Sequence, residues 1–152
     1  MPPALKAAWN GFVRPIFKRP DRIQVAALCT KGDGEDKKVL LVTSRGTGRW
    51  ILPKGWPVAG KSAAESAAQE AWEEAGVRKA KVSDLAVGSY RYSKVLQGGV
   101  KVPCEAKVYP IEVRKLAETY PEAGERRRKW VSPQKAAKLV QEAELKHLLY
   151  KL

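Results

Sequence analysis

Three acids, Glu70, Glu73 and Glu74, stand at positions i, i+3 and i+4 of one polar and alanine-rich run. On a helix that spacing places all three carboxylates on one face, where like charges repel unless something positive neutralises them. Hard divalent cations such as Mg²⁺ are the usual partners of grouped carboxylate oxygens. The triplet therefore describes a metal site, or else a solvated acidic face. Basic residues at loop positions are the natural complement. Arg45 and Arg49 flank the glycines of Arg45-Gly46-Thr47-Gly48-Arg49, a loop suited to holding phosphate or simply an exposed turn. A second basic cluster, Arg126-Arg127-Arg128-Lys129, is a phosphate contact or a solvated run.

The acids need a helix to carry them, and the sequence marks its ends. Ser62 is a good N-cap and Gly76 suits the position just past the last turn. Ala64, Ala67, Ala68, Ala71 and Ala75 fall on the arc beside the acids, small enough for the helix to lie close against a sheet. Ahead of it, Ile23 to Thr30 reads as a buried strand, a turn follows at residues 31–36, and Val39 to Thr43 returns as the second arm of a hairpin. After it, a strand is expected near Val82 to Arg91, then a turn at Gln97-Gly98-Gly99, then a long strand from Val100 to Val113. Pro103 argues for an edge or a bulge there. Residues 118–125 read as a loop, Trp130-Val131 as a short strand, and Ser132-Pro133 as the start of a closing helix, with a last helical stretch at Leu145, Leu148 and Leu149. Strands on either side of a central helix suggest an α/β domain, one mixed sheet covered on both faces.

A competing pattern overlaps the same residues. Gly55-x-x-x-x-Gly60-Lys61-Ser62 satisfies the phosphate-loop signature of nucleotide-binding proteins. No later apolar run ends in the metal-holding Asp that such a site needs, and Pro57 stiffens a loop that should wrap phosphate with backbone N–H groups. The pattern reads as coincidence.

Composition narrows the partners. The 152 residues form most simply one domain, with a basic, proline-containing arm at residues 1–21 and the folded domain at 22–152. In the arm, Leu5, Trp9, Phe12, Ile16 and Phe17 could form a short apolar stripe. Lys and Arg outnumber Asp and Glu by 29 to 16, a formal charge of +13 that attracts polyanions: nucleic acid, acidic membrane or a small substrate with many phosphates. No apolar run approaches the ~18 residues of a membrane span, and Cys29 and Cys104 lack partners at zinc-ligand spacing. These features imply a soluble, cytoplasmic protein with reduced thiols. The lone histidine, His147, reads as a surface or packing residue.

The stretch from Gly55 to Val77 resembles the Nudix box, Gly-x5-Glu-x7-Arg-Glu-U-x-Glu-Glu-x-Gly-U, in which U is aliphatic. Gly55, Glu70, Ala71, Glu73, Glu74, Gly76 and Val77 match position by position, whereas Lys61 replaces the first Glu and Gln69 replaces the Arg. The resemblance implies an α/β/α sandwich and Mg²⁺-dependent hydrolysis of a phosphoanhydride, with Mn²⁺ as a possible substitute. By match to the box, Glu70, Glu73 and Glu74 would be the catalytic metal ligands, and Gly55 would let the backbone turn tightly against them. The general base would be one of these or a later Glu such as Glu118, Glu122 or Glu125. Gln69 would hold a carboxylate less firmly than Arg, and Lys61 would act as a fixed cation on phosphate or leave the site short of an acid. Within the superfamily, Trp50 to Gly55 and Arg126 to Ser132 look like the diadenosine and diphosphoinositol polyphosphate phosphohydrolase branch. Arg45, Arg49, Lys54, Arg126, Arg127 and Arg128 would then clamp a polyphosphate. The alternatives are a nucleoside triphosphate or RNA 5′-end pyrophosphohydrolase, and a catalytically impaired module that binds nucleotide or RNA. Oligomeric state is not legible.

Overall fold

The computed structural model describes residues 22–152. The expected arm, with its apolar stripe, lies outside them. Eight strands form one mixed sheet whose main path runs β3-β2-β1-β7-β5. β1 (Arg22–Lys31) and β7 (Lys101–Leu116) pair in parallel from Arg22 with Cys104 to Thr30 with Glu112. β2 (Lys38–Thr43) closes the hairpin with β1 through Thr30 opposite Val39, as expected, and also carries β3 (Trp50–Ile51) and β8 (Arg128–Val131). β4 (Lys54–Gly55) pairs antiparallel with β1, Gly55 opposite Val25.

The strand expected at 82–91 is two strands with a break between them. β5 (Val77–Val82) and β6 (Gly88–Val95) lie one after the other along the same antiparallel edge of β7. The long β7 supplies enough edge for both, and Ser83 bridges the handover by donating its backbone N–H to the Pro110 carbonyl at 3.0 Å. Pro103 sits opposite Ser93 of β6, before β1 joins at Cys104, so its missing N–H falls where the second edge of β7 is open.

β1 shows how the two faces are built. Val25, Ala27 and Cys29 point to one side and meet Ala64, Ala67, Ala71 and Ala75 of α1 (Ala63–Ala75). Ala26 and Leu28 point to the other and meet Ala136, Ala137, Leu145 and Leu149 of α2 (Pro133–Leu139) and α3 (Ala143–Tyr150). A strand buried on both faces must be apolar throughout, which is why Val25 to Cys29 shows no polar alternation. The result is the α/β/α sandwich expected from the sequence. Both cysteines are buried and unpaired, and His147 is exposed. Among the described residues no helix is long and apolar enough to cross a membrane.

Candidate active site

The acidic helix is capped at both ends. Ser62 Oγ accepts the Glu65 N–H at 3.1 Å while Glu65 Oε1 accepts the Ser62 N–H at 2.7 Å, a reciprocal capping box. Gly76 ends the helix in the left-handed region at φ +72°. A Cβ there would also lie 2.6 Å from Tyr120 and 2.7 Å from Arg128, so glycine is required twice over. Arg128 explains the crowding: Nη1 donates to the Ala75 and Ala117 carbonyls, each at 2.8 Å, and the guanidinium lies 4.8 Å from the Tyr120 ring. It satisfies a terminal carbonyl of α1 and places positive charge at the negative end of the helix.

Helix geometry divides the three acids. Glu70 and Glu74 line a cavity of about 500 Å³ together with Glu122, Arg126, Arg45, Lys54, Gly55, Trp56 and Lys94. Glu73 is not among its lining residues; its Oε2 accepts from Gln69 Nε2 at 2.6 Å, one turn earlier on the adjoining stripe. Gln69 thus does hold a carboxylate, but the one it holds is turned from the pair.

Glu74 is 5% exposed, and its two oxygens have separate partners. Oε1 accepts the Lys54 backbone N–H at 3.3 Å, and Oε2 faces Arg126 Nη2 at 3.4 Å. Glu70 lies against Gly55, so closely that any Cβ at position 55 would collide with its carboxylate. Burial, reinforced by the Glu74 charge and by a hydrogen bond with Glu74, pushes the Glu70 pKa up to about 8. Burial also raises Glu74, against the opposing pull of Arg126. Both carboxylates are thus harder to ionise side by side than apart. Across the cavity, burial lowers Lys54 to about 8, and its Nζ sits 4.8 Å from the Tyr92 ring.

This donor set fits a divalent cation of the Mg²⁺ type. Among the described residues no three acidic, His or Cys side chains converge into a ready-made cage. Mg²⁺ characteristically uses one or two carboxylates and completes its shell with water and substrate phosphate, so two adjacent carboxylates lining an open cavity match its habits.

The basic residues singled out in the sequence go to different places. Arg45 and Lys54 line the acid cavity, and Arg45 is tied only by an exposed ion pair to Glu125 at 2.8 Å. Arg126 also lines it, but as an internal counter-charge: its side chain is 8% exposed and bonds Glu122 at 2.7 Å and the Thr43 carbonyl at 3.0 Å. Arg128 is engaged at the end of α1 and does not line the acid cavity. Arg49 is engaged with Glu142 at 2.9 Å. Exposed Arg127 stacks 5.2 Å from Trp50 and borders a shallow cavity with Arg45, Gly46 and Gly48. Lys61 lines a separate groove with Glu65, Gln69 and Trp72, outside the acid cavity. Of the later acids, Glu122 reaches the cavity, whereas exposed Glu118 and Glu125 do not line it.

The cavity also contains Gln24, Trp56 and Lys94, which were not singled out as site residues. Lys94 had a signal in the sequence, since Tyr90, Tyr92 and Lys94 recur at every second residue and so face one side of a strand. Gln24 is 1% exposed and accepts from the Tyr92 hydroxyl. The phosphate-loop pattern is excluded by local geometry: Ser62 is spent as a cap, and the two-residue strand before the loop runs antiparallel to β1.

Fold and site together define an α/β/α sandwich that carries its acids on a capped helix against a glycine turn. Residues 20–152 match the NUDIX domain, and the chain belongs to the Nudix family. It is 32% identical over 106 residues to Nudix hydrolase 16, mitochondrial, of Arabidopsis thaliana, covering 68% of this chain and 58% of that protein. It is 29% identical over 120 residues to diphosphoinositol polyphosphate phosphohydrolase 3-alpha of Homo sapiens, covering 78% of this chain and 68% of that one. Among solved structures, a C. elegans Ap4A hydrolase superposes with a TM-score of 0.63 at 19% identity, covering 87% of this chain and 96% of that one. The chain spans a little under three fifths of the length of the Arabidopsis relatives it matches, 57 to 58%.

Proposed function

We propose that this protein hydrolyses phosphoanhydride bonds in a highly phosphorylated small molecule, a dinucleoside polyphosphate or a diphosphoinositol polyphosphate, with Mg²⁺ as cofactor and Mn²⁺ as a substitute. The observation that carries the reading is the adjacent acids Glu70 and Glu74, set against Gly55 in a cavity rimmed by Arg45, Lys54 and Lys94. Glu70 and Glu74 would hold the cation, with Glu122 beside them. A bound Mg²⁺ supplies charge screening of the phosphates and a lower pKa for attacking water.

The remaining work falls to this chain. Lys54 and Arg45 hold the polyphosphate, their charge complementing its own. Arg126 keeps Glu74 and Glu122 in place from behind. Water adds to phosphorus, the bridging P–O bond breaks with its electron pair leaving on the departing phosphate, and the water's proton passes to a cavity carboxylate. Glu122, the later acid that lines the cavity, would accept it. Buried reduced Cys29 and Cys104 are consistent with a cytoplasmic setting.

A second reading, a binding module with little turnover, draws on one observation: Glu73 is turned toward Gln69 instead of the cavity. A panel of diadenosine tetraphosphate, a diphosphoinositol polyphosphate, nucleoside triphosphates and triphosphorylated RNA, with and without Mg²⁺, separates the two. Hydrolysis of a polyphosphate that needs Mg²⁺ and disappears in Glu74→Gln supports the first. Tight, metal-independent binding without turnover supports the second.

A further inference from the structure

The acid cavity contains one side chain that phosphate chemistry does not require. Trp56 is 40% exposed, and its cavity neighbours are polar, charged or glycine apart from Ile51, which is committed to the core. A site serving phosphate alone gains nothing from an indole left partly in water.

The residue is held firmly without being covered. Gly55 is fixed on its N-terminal side by pairing with Val25. Pro57 on the other side restricts the Trp56 backbone to extended conformations. Val58 then donates its N–H to Ser66 Oγ at 2.9 Å, tying the turn to α1. Lys94 Nζ lies 6.0 Å from the indole centroid, a cation poised beside an aromatic face. Gly55 touches Glu70, and consecutive Cα atoms are about 3.8 Å apart, so the indole stands within one nucleotide's reach of the acidic pair.

We propose that Trp56 is a base-stacking residue, with Lys94 taking the phosphate next to the base, and that it makes this site select nucleoside polyphosphates over polyphosphates without a base. The inference rests on the hydrolase reading above and chooses between its two substrate classes. A purine offers a flat π-face that an indole can hold without reading its edge, so selection would be for the presence of a base rather than for its identity.

The test is steady-state hydrolysis of diadenosine tetraphosphate and of a diphosphoinositol polyphosphate in Mg²⁺, by the wild-type protein, Trp56→Ala and Trp56→Phe, with melting temperatures as a control for folding. Loss of one stacked base raises KM for the dinucleotide roughly tenfold or more in Trp56→Ala, with kcat little changed, and Trp56→Phe recovers most of the loss. The KM for any diphosphoinositol turnover should stay within about twofold, because no base is present to stack. Equal KM changes for both substrates, or none for the dinucleotide, would overturn the stacking role and leave the hydrolase reading intact. Should the wild-type protein cleave neither substrate, calorimetric titration with diadenosine tetraphosphate in EDTA isolates the stacking. Weaker binding by Trp56→Ala then upholds this inference while the hydrolase reading falls, and equal binding ends both.

Discussion

Replacing Glu70 by Gln tests whether burial and the neighbouring Glu74 penalise ionisation of Glu70. In the folded protein the Glu70 pKa rises from its ordinary 4.5 to about 8, chiefly through burial and then through Glu74. A raised carboxyl pKa means that the folded state binds the proton more tightly than the unfolded state does. Its stabilising contribution is complete below pH 4.5 and is lost as pH climbs through about 8. At 1.36 kcal/mol for each tenfold change in acidity, the step sets a ceiling near ~5 kcal/mol. Glu70 is only half-buried, so solvent screening reduces the measurable part to about 1 to 2 kcal/mol. For a chain of this length that is roughly 3 to 6 °C in melting temperature.

Gln keeps the shape and the hydrogen bond but cannot ionise. The assay is thermal unfolding in EDTA from pH 5 to pH 9 for both proteins, comparing their difference so that the general effect of the +13 charge cancels. The wild-type protein should lose ground to Glu70→Gln as pH rises, and Mg²⁺ at pH 8.5 should restore the wild type by more than the variant. Parallel pH profiles, or an equal response to Mg²⁺, would refute the argument that the two adjacent carboxylates resist ionisation and that a divalent cation relieves it.

Gly55→Ala places a methyl group against the Glu70 carboxylate, which can swing aside because it ends a flexible side chain. Turnover should fall at least ~10-fold while the melting temperature moves little, since a misplaced catalytic group costs more than a local shift in packing. Arg128→Met removes two hydrogen bonds and leaves the Ala75 and Ala117 carbonyls unpaired. Urea unfolding should show a loss of about 2 to 3 kcal/mol. Burial pushes the Cys29 thiol up to about 12, so at pH 8 it should resist alkylation by iodoacetamide until denaturant is added. Mass spectrometry of the labelled protein reads this directly.

The acidic helix was legible because its signals are local. Ser62, Gly76 and the alanine arc each act within a turn or two, and the structure places both helix ends where those residues predict. The hairpin of β1 and β2 and the Ser132-Pro133 start of α2 are local in the same sense. What escaped depends on distant partners. The sequence suggests one strand near Val82 to Arg91, and only the length of β7 decides that two strands share its edge. The basic run 126–129 divides in two for a related reason. As the chain enters β8, side chains alternate, so Arg126 and Arg128 turn inward to Glu74 and to the end of α1 while Arg127 and Lys129 face water. Charge in a sequence carries no sign of the carboxylate or carbonyl that waits about fifty residues away.

The embrace of Glu74 and Ala75 by Arg126 and Arg128 has a bearing on how the protein is made. The helix and the glycine turn leave the ribosome early, but the counter-charge and the terminal cap arrive only when translation has passed residue 128. A nascent or truncated chain therefore carries the acids without the frame that aims them. Positioning of the acids therefore waits on translation of a segment about fifty residues beyond them.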